Sequence, residues 1–135
     1  MTASSKSLRG MLDKAAEKLT RAEQDLSDGF PGEASSRAYY AVLHAITAVL
    51  ATRGLSFSSH MQTIGAFNRE FVKSGLFELN TTRTLQHLFE HRQIADYEWA
   101  SSVDAQTAAE DVAAAQTLVN LCREYVERQI KDHEA

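Results

Sequence analysis

The chain has very little of the residue types that build disulfide-stapled, loop-rich or membrane-spanning proteins. Its 135 residues include one cysteine, one proline and six glycines. The single Cys122 cannot form an internal disulfide and lies among apolar residues, so we expect a small buried side chain. No apolar run approaches the roughly 20 residues that a membrane helix needs, and residues 1–10 are polar. We therefore expect a cytoplasmic protein without a membrane segment.

An excess of positive charge is also lacking, since the net charge is -4. This balance argues against a broad basic surface for duplex DNA. Six cations do lie in the middle of the chain: Arg37, Arg53, Arg69, Lys73, Arg83 and Arg92. Their position is compatible with a local cationic pocket for a nucleotide or single-stranded RNA. No glycine-rich phosphate loop and no Cys/His cluster occurs in the sequence, so no metal and no cofactor is expected.

The spacing of apolar residues predicts a single all-α domain over residues 1–135, an antiparallel bundle of about five helices. The predicted helices cover about 8–26, 33–53, 61–72, 81–99 and 104–126, with breaks at 28–32, 54–59, 74–75 and 101–103. The second helix is apolar on most sides, which is typical of the central helix of a bundle. The seams of the first and last helices are complementary, and we expect these two helices to lie side by side.

Arg37, Tyr40 and His44 recur at i, i+3 and i+7 of the second predicted helix and therefore share one face. A guanidinium can hold a phosphate by two parallel hydrogen bonds. A histidine can take or give a proton near neutral pH. The stripe suits the binding or cleavage of a phosphodiester. The structural alternative is that Arg37 pairs with Asp96 or another carboxylate, while Tyr40 and His44 are core residues with satisfied polar ends.

A second polar group is predicted on the fourth helix. Arg92 and Asp96 are four residues apart, which allows an ion pair within the helix. Tyr97 and Trp99 follow and would supply an aromatic face on which a base could stack. The pattern indicates either a ligand pocket anchored by Arg92 or an ordinary surface salt bridge.

Other histidines attract simpler interpretations. His87 and His91 match the H-x-x-E-H string of certain zinc peptidases, but a catalytic zinc needs a third protein ligand and a substrate cleft. Short strings of this kind often occur by chance, so we expect these two histidines to be surface or interface residues. We expect His60 to be a capping or loop residue at the start of the third helix.

Two motifs together resemble a known family. The run R-A-Y-Y-A-x-x-H-A at 37–45 and the run R-x-x-A-D-Y at 92–97 are similar to those of HEPN domains, specifically the small stand-alone prokaryotic members. The resemblance extends from about Leu8 to about Tyr125. It implies a helical bundle that binds a nucleotide or RNA, forms a homodimer, and pairs with a minimal nucleotidyltransferase as in toxin–antitoxin systems. Aromatic residues predicted to be exposed, Phe57, Phe77 and Trp99, are compatible with a partner surface.

Three functions stay open at this point. In the first, a nucleotide or RNA is bound through Arg37, Tyr40, Asp96 and Tyr97. In the second, the chain is a metal-independent endoribonuclease with Arg92 and His44 as catalytic residues. The family's ribonucleases place a histidine four to six residues after the arginine, where this chain has Tyr97 or its neighbours. In the third, the bundle is a structural dimerisation module without a ligand.

Overall fold

The computed structural model describes residues 3–96 and 103–134, and all of its regular structure is helical. The α-helices in these residues are α1 (Ser5–Ser27), α2 (Pro31–Ala51), α3 (His60–Phe67), α4 (Asn80–Asp96) and α5 (Ala105–Glu134). A π-helical segment, Asn68–Val72, continues α3. No strand occurs in the described part of the chain. The prediction of an all-α bundle of five helices is confirmed.

The second helix is the centre of the bundle, as predicted. α2 packs most extensively on α1, then on α5 and α4. Its buried positions include six alanines, which let neighbouring helices approach closely. The helix begins at Pro31, two residues before the predicted start, because proline at the first helical position has a suitable φ and needs no N–H partner. Gly29 just before it has φ 85°, the left-handed conformation that ends α1.

The first and last helices lie side by side, which confirms the prediction. Arg9 of α1 donates two hydrogen bonds of 3.1 Å to the carboxylate of Glu127 on α5. Farther along the same seam, Arg123 donates to the carbonyl oxygen of Leu12 at 3.2 Å. α1 and α5 therefore enclose one side of α2.

The third predicted helix is divided into two kinds of helix. Ser59 caps α3, since its hydroxyl accepts a hydrogen bond of 3.0 Å from the backbone N–H of Gln62. The backbone N–H of Lys73 then donates to the carbonyl of Asn68, five residues earlier, at 2.9 Å. The helix predicted over 61–72 is therefore present, with π-helical hydrogen bonding from Asn68 onward. Phe77 packs against Phe71 and is buried, so the expectation that Phe77 is exposed is also wrong.

The fourth helix is unevenly anchored. Its fully buried side chains, Thr81, Leu85 and Leu88, all lie in its first half. The second half, which carries Arg92 and Asp96, contributes no fully buried side chain. The predicted end near Trp99 and most of the predicted break at 101–103 lie outside the described residues. Across the described ranges, no helix is both long and apolar enough to cross a membrane.

Candidate functional site

Arg92 of α4 lies against the two adjacent tyrosines of α2. Its Nη2 donates a hydrogen bond of 2.8 Å to the hydroxyl oxygen of Tyr40. The guanidinium carbon lies 5.6 Å from the ring centroid of Tyr39 and 5.5 Å from that of Tyr40, within the range of cation–π attraction. The hydrogen bond with Tyr40 raises the pKa of Arg92 against the opposing effect of burial. Arg92 therefore keeps its positive charge in a setting only partly open to water.

The remaining contact of Arg92 is an incomplete one. Its Nε lies 3.3 Å from Oδ2 of Asp96, one turn later on α4. This Nε is buried, yet it makes no hydrogen bond of acceptable geometry. The Asp96 side chain is 46% exposed. A buried donor without an aligned acceptor costs free energy, so the pair of Arg92 with Asp96 is a weak one.

An aromatic cluster around Tyr39 packs beside Arg92. Tyr39 is fully buried, with its ring centroid 5.9 Å from that of Phe89 and 6.0 Å from the ring of His60. The hydroxyl of Tyr39 lies 3.4 Å from Nδ1 of His60. Burial raises the pKa of Tyr39, partly offset by the charge of Arg92. His60 begins α3 as predicted, but it also belongs to this cluster, which the interpretation as a cap or loop residue missed.

Arg37 lies on the same stripe of α2 and faces a different neighbour. Its Nε is 3.3 Å from Oδ2 of Asp25 on α1, and that carboxylate is only 15% exposed. Of the two pairings considered from the sequence, the one with Asp96 is wrong and the one with another carboxylate is present. Arg37 therefore links α1 to α2.

His44 is half-buried one turn beyond Tyr40 and also faces α1. Burial lowers its pKa first, and the charges of Lys18 and Lys14 lower it further. Among the hydrogen bonds of the described residues, none joins His44 to Arg92. The site therefore brings Arg92, Tyr40 and Asp96 together, while His44 and Arg37 lie on its α1 side. Tyr97 and Trp99 fall outside the described residues.

A second polar cluster, which sequence reasoning missed, holds the other side of α4. His91 Nδ1 lies 2.9 and 2.8 Å from the two carboxylate oxygens of Asp111 on α5. Ser35 of α2 donates to the same carboxylate at 2.7 Å and is fully buried. The sequence signal for this cluster is the carboxylate of Asp111, which lies within the apolar seam of α5 between Ala108 and Val112. This cluster joins α2, α4 and α5, and its residue on α4, His91, directly precedes Arg92.

The cluster changes the interpretation of the H-x-x-E-H string. His91 is an interhelical residue engaged by Asp111, and His87 stacks on it with ring centroids 6.1 Å apart. Within residues 3–96 and 103–134, no group of three or more potential ligands is placed to hold a metal ion. The string therefore carries a structural contact in this fold.

Fold and site together define a class: a small helical bundle whose central helix exposes a polar stripe, with a partly buried arginine from a neighbouring helix set over its tyrosines. The chain belongs to the HEPN domain family, whose sequence profile matches residues 8–125. The resemblance to this family is thereby confirmed.

Individual relatives support the same assignment. A "UPF0332 protein" of Thermotoga maritima is 44% identical over 64 residues, which are 47% of this chain and 48% of that protein. The "Putative toxin MJ0142" of Methanocaldococcus jannaschii is 23% identical over 119 residues, 88% of this chain and 81% of that protein. From the same organism, the "Putative toxin MJ0605" is 30% identical over 90 residues, 67% of each chain. The match to the first of these relatives spans about half of its length.

Proposed function

We propose that this HEPN domain binds the phosphate of a nucleotide or RNA at Arg92 and acts in a toxin-like role. The observation that carries the proposal is the guanidinium of Arg92, which is charged, partly buried and incompletely paired. A phosphate can take the place of the exposed Asp96 carboxylate on the planar fork that arginine offers. The alternative considered from the sequence is an ordinary surface salt bridge. Such a pair would not need the arginine to be more buried than its carboxylate partner.

The residues around Arg92 suit the other parts of a nucleotide. Tyr40 accepts a hydrogen bond from Arg92, so its own hydroxyl proton is available to donate to a phosphate oxygen. Asp96 is exposed enough to accept a hydrogen bond from a base or a ribose hydroxyl. We further propose that Tyr97, next along the chain, offers an aromatic face for stacking. Arg37 supports the site from the α1 side through its pair with Asp25.

The cellular role rests on the relatives. Two of them carry names that describe toxins. Together with the resemblance of the motifs, this supports a toxin–antitoxin-type pair whose other member is a minimal nucleotidyltransferase. Homodimerisation of this chain belongs to the same proposal. The alternative of a metal-independent ribonuclease would need His44 and Arg92 to act on one phosphate, and no contact between them supports it in the described residues.

Titration calorimetry with uridine 5′-monophosphate and fluorescence binding of a mixed-sequence RNA test the proposal. Arg92→Ala should weaken both by at least about tenfold, since a charge-assisted hydrogen bond contributes about 1.5–3 kcal/mol. Arg9→Ala is the matched control, because Arg9 is an exposed arginine paired with Glu127 away from the site. Asp96→Asn should tighten phosphate binding about two- to fivefold by removing a like charge.

Each remaining outcome has a distinct meaning. If wild type binds neither probe, or if Arg92→Ala behaves like Arg9→Ala, the proposed site is wrong. Gel-monitored incubation of the same RNA in EDTA separates the ribonuclease alternative. Cleavage that is lost in both Arg92→Ala and His44→Ala would establish catalysis in place of simple binding.

A further inference from the structure

The face of α2 that is not buried forms one continuous stripe. From Ala34 to Ala51 the positions that are neither buried nor fully exposed are Ser36, Arg37, Tyr40, Leu43, His44 and Thr47. Their spacing of three and four residues places them in a single row along the helix. We call this row the α2 stripe. Its residue Arg37 contacts Asp25 of α1, and its residue Tyr40 contacts Arg92 of α4.

The register between α1 and α2 places lysines beside this stripe. α1 and α2 are consecutive helices joined by a short turn and packed in antiparallel fashion. The contact of Arg37 with Asp25 sets which residues lie opposite each other. Seven residues onward from Arg37 is His44, and seven residues back from Asp25 is Lys18. Lys18 therefore lies across from His44, and Lys14 lies one turn further along the same face of α1.

A second observation agrees with this register. Burial lowers the pKa of His44, and the charges of Lys18 and Lys14 lower it further, in agreement with their place on the facing side of α1. Among the ion pairs of the described residues, neither lysine takes part. The neighbouring acids on α1, Glu17 and Asp13, pair instead with Arg21 and Arg123. We call the two lysines, which take part in none of these ion pairs, the lysine patch; it lies at the α1 edge of the stripe.

The lysine patch and Arg92 are separated by a short step along α2. Arg92 contacts Tyr40, and the lysines face His44, four residues later. Four residues of α-helix advance about 6 Å. Proteins that hold single-stranded nucleic acid use a cationic groove along the backbone together with aromatic side chains. Here Tyr40 and His44 supply the aromatic side chains, and the cations lie on both sides of them. The whole strip is only one helix wide.

We propose that the α2 stripe is a track for single-stranded RNA, with one phosphate at Arg92 and a following phosphate at Lys14 and Lys18. The inference rests on the proposed function and extends it, because it selects an oligonucleotide over a mononucleotide as the preferred ligand. A strip one helix wide fits a single strand rather than a duplex, and the net charge of -4 gives no broader basic surface.

The experiment compares two probes on the full chain, uridine 5′-monophosphate and a ten-residue oligouridylate, over about 50 to 200 mM salt. The Lys14→Ala/Lys18→Ala variant should bind the mononucleotide within twofold of wild type. It should bind the oligonucleotide about tenfold more weakly at the lowest salt. Because each phosphate contact on a single strand contributes about 0.7 to the slope of log affinity against log salt, and the two lysines share one phosphate, the slope should become shallower by about 0.7.

The matched control is Lys6→Ala/Lys131→Ala, which removes the same charge from exposed positions of α1 and α5. An equal loss in this control would show a non-specific charge effect and overturn the track. An unchanged affinity of the Lys14/Lys18 variant for the oligonucleotide would overturn it as well. Both results leave the Arg92 site standing if the mononucleotide still binds. Failure of wild type to bind either probe would instead overturn the proposed function and this inference together.

Discussion

Two arginine–carboxylate pairs flank α2 with the same Nε–Oδ2 distance, 3.3 Å, yet they differ in which partner is buried. In the Arg37–Asp25 pair the carboxylate is 15% exposed and the arginine 35%. In the Arg92–Asp96 pair the arginine is 22% exposed and the carboxylate 46%. The first pair connects two helices, whereas the second lies within one helix.

The burial of the carboxylate determines which of the two arginines can accept a ligand. A buried carboxylate depends on its cation. If Arg37 left Asp25, the charge of Asp25 would stay unpaired in a poorly solvated setting. An exposed carboxylate is solvated by water, so Asp96 can release Arg92 at little cost. The two pairs have the same distance but differ in kind: Arg37–Asp25 is a structural pair and Arg92–Asp96 is an exchangeable one. The burial of the carboxylate distinguishes them.

The largest effect is expected at a third carboxylate that extends this comparison. Asp111 is only 7% exposed and accepts hydrogen bonds from Ser35 and His91. Asp111→Asn should lower the free energy of unfolding by about 1–3 kcal/mol, because a neutral amide oxygen accepts weaker hydrogen bonds than a carboxylate and the amide NH2 adds a donor beside two existing donors. Urea unfolding followed by far-ultraviolet circular dichroism measures the change. Glu110→Gln, on an exposed neighbour in α5, is the matched control and should stay within about 0.5 kcal/mol. Equal losses in both variants would show that overall charge, and not burial, sets the cost.

An intermediate effect is expected for the first of the two pairs. Asp25→Asn should lower the free energy of unfolding by about 1 kcal/mol, since it removes the charge that Arg37 faces across the α1–α2 seam. Asp96→Asn should change it by less than about 0.5 kcal/mol, because its carboxylate is exposed. The same urea titrations give both values side by side. Should the Asp96 variant prove the less stable of the two, the distinction between a structural and an exchangeable pair would fail.

Much of this arrangement was predictable from the sequence, and the limits have physical causes. Apolar spacing within α2 revealed a central helix, and the i, i+3, i+7 spacing put Arg37, Tyr40 and His44 on one face. Such arguments use positions within one helix. The contact of Arg92 with Tyr40 joins residues 52 positions apart, and its geometry depends on how α4 packs on α2.

The partner of Arg37 shows the same limit. Several carboxylates could reach it in principle, and only the register of α1 against α2 selects Asp25. The carboxylate of Asp111 was visible as a polar residue in an apolar seam, but its two donors come from two other helices. The π-helical turn at Asn68–Val72 has no distinct composition, since its apolar residues fit an ordinary helix equally well.

The smallest effect is expected at His44, which lies further along the seam that Arg37 and Asp25 hold together. Its pKa is lowered by burial and by Lys18 and Lys14, so the unfolded chain, with a histidine pKa of about 6.5, binds a proton more readily than the folded one. Stability from this group is therefore fully present above about pH 6.5 and is lost as pH falls towards the lowered pKa of the folded state. The free energy of unfolding of the wild type should fall between neutral and mildly acidic pH, and this fall should be smaller in His44→Gln. Lys18→Met should reduce it by a smaller amount, because burial is the larger cause. Urea titrations across this pH range give both differences. A pH dependence identical to wild type in the His44 variant would show that other groups control it and that the lysine patch does not act on this histidine.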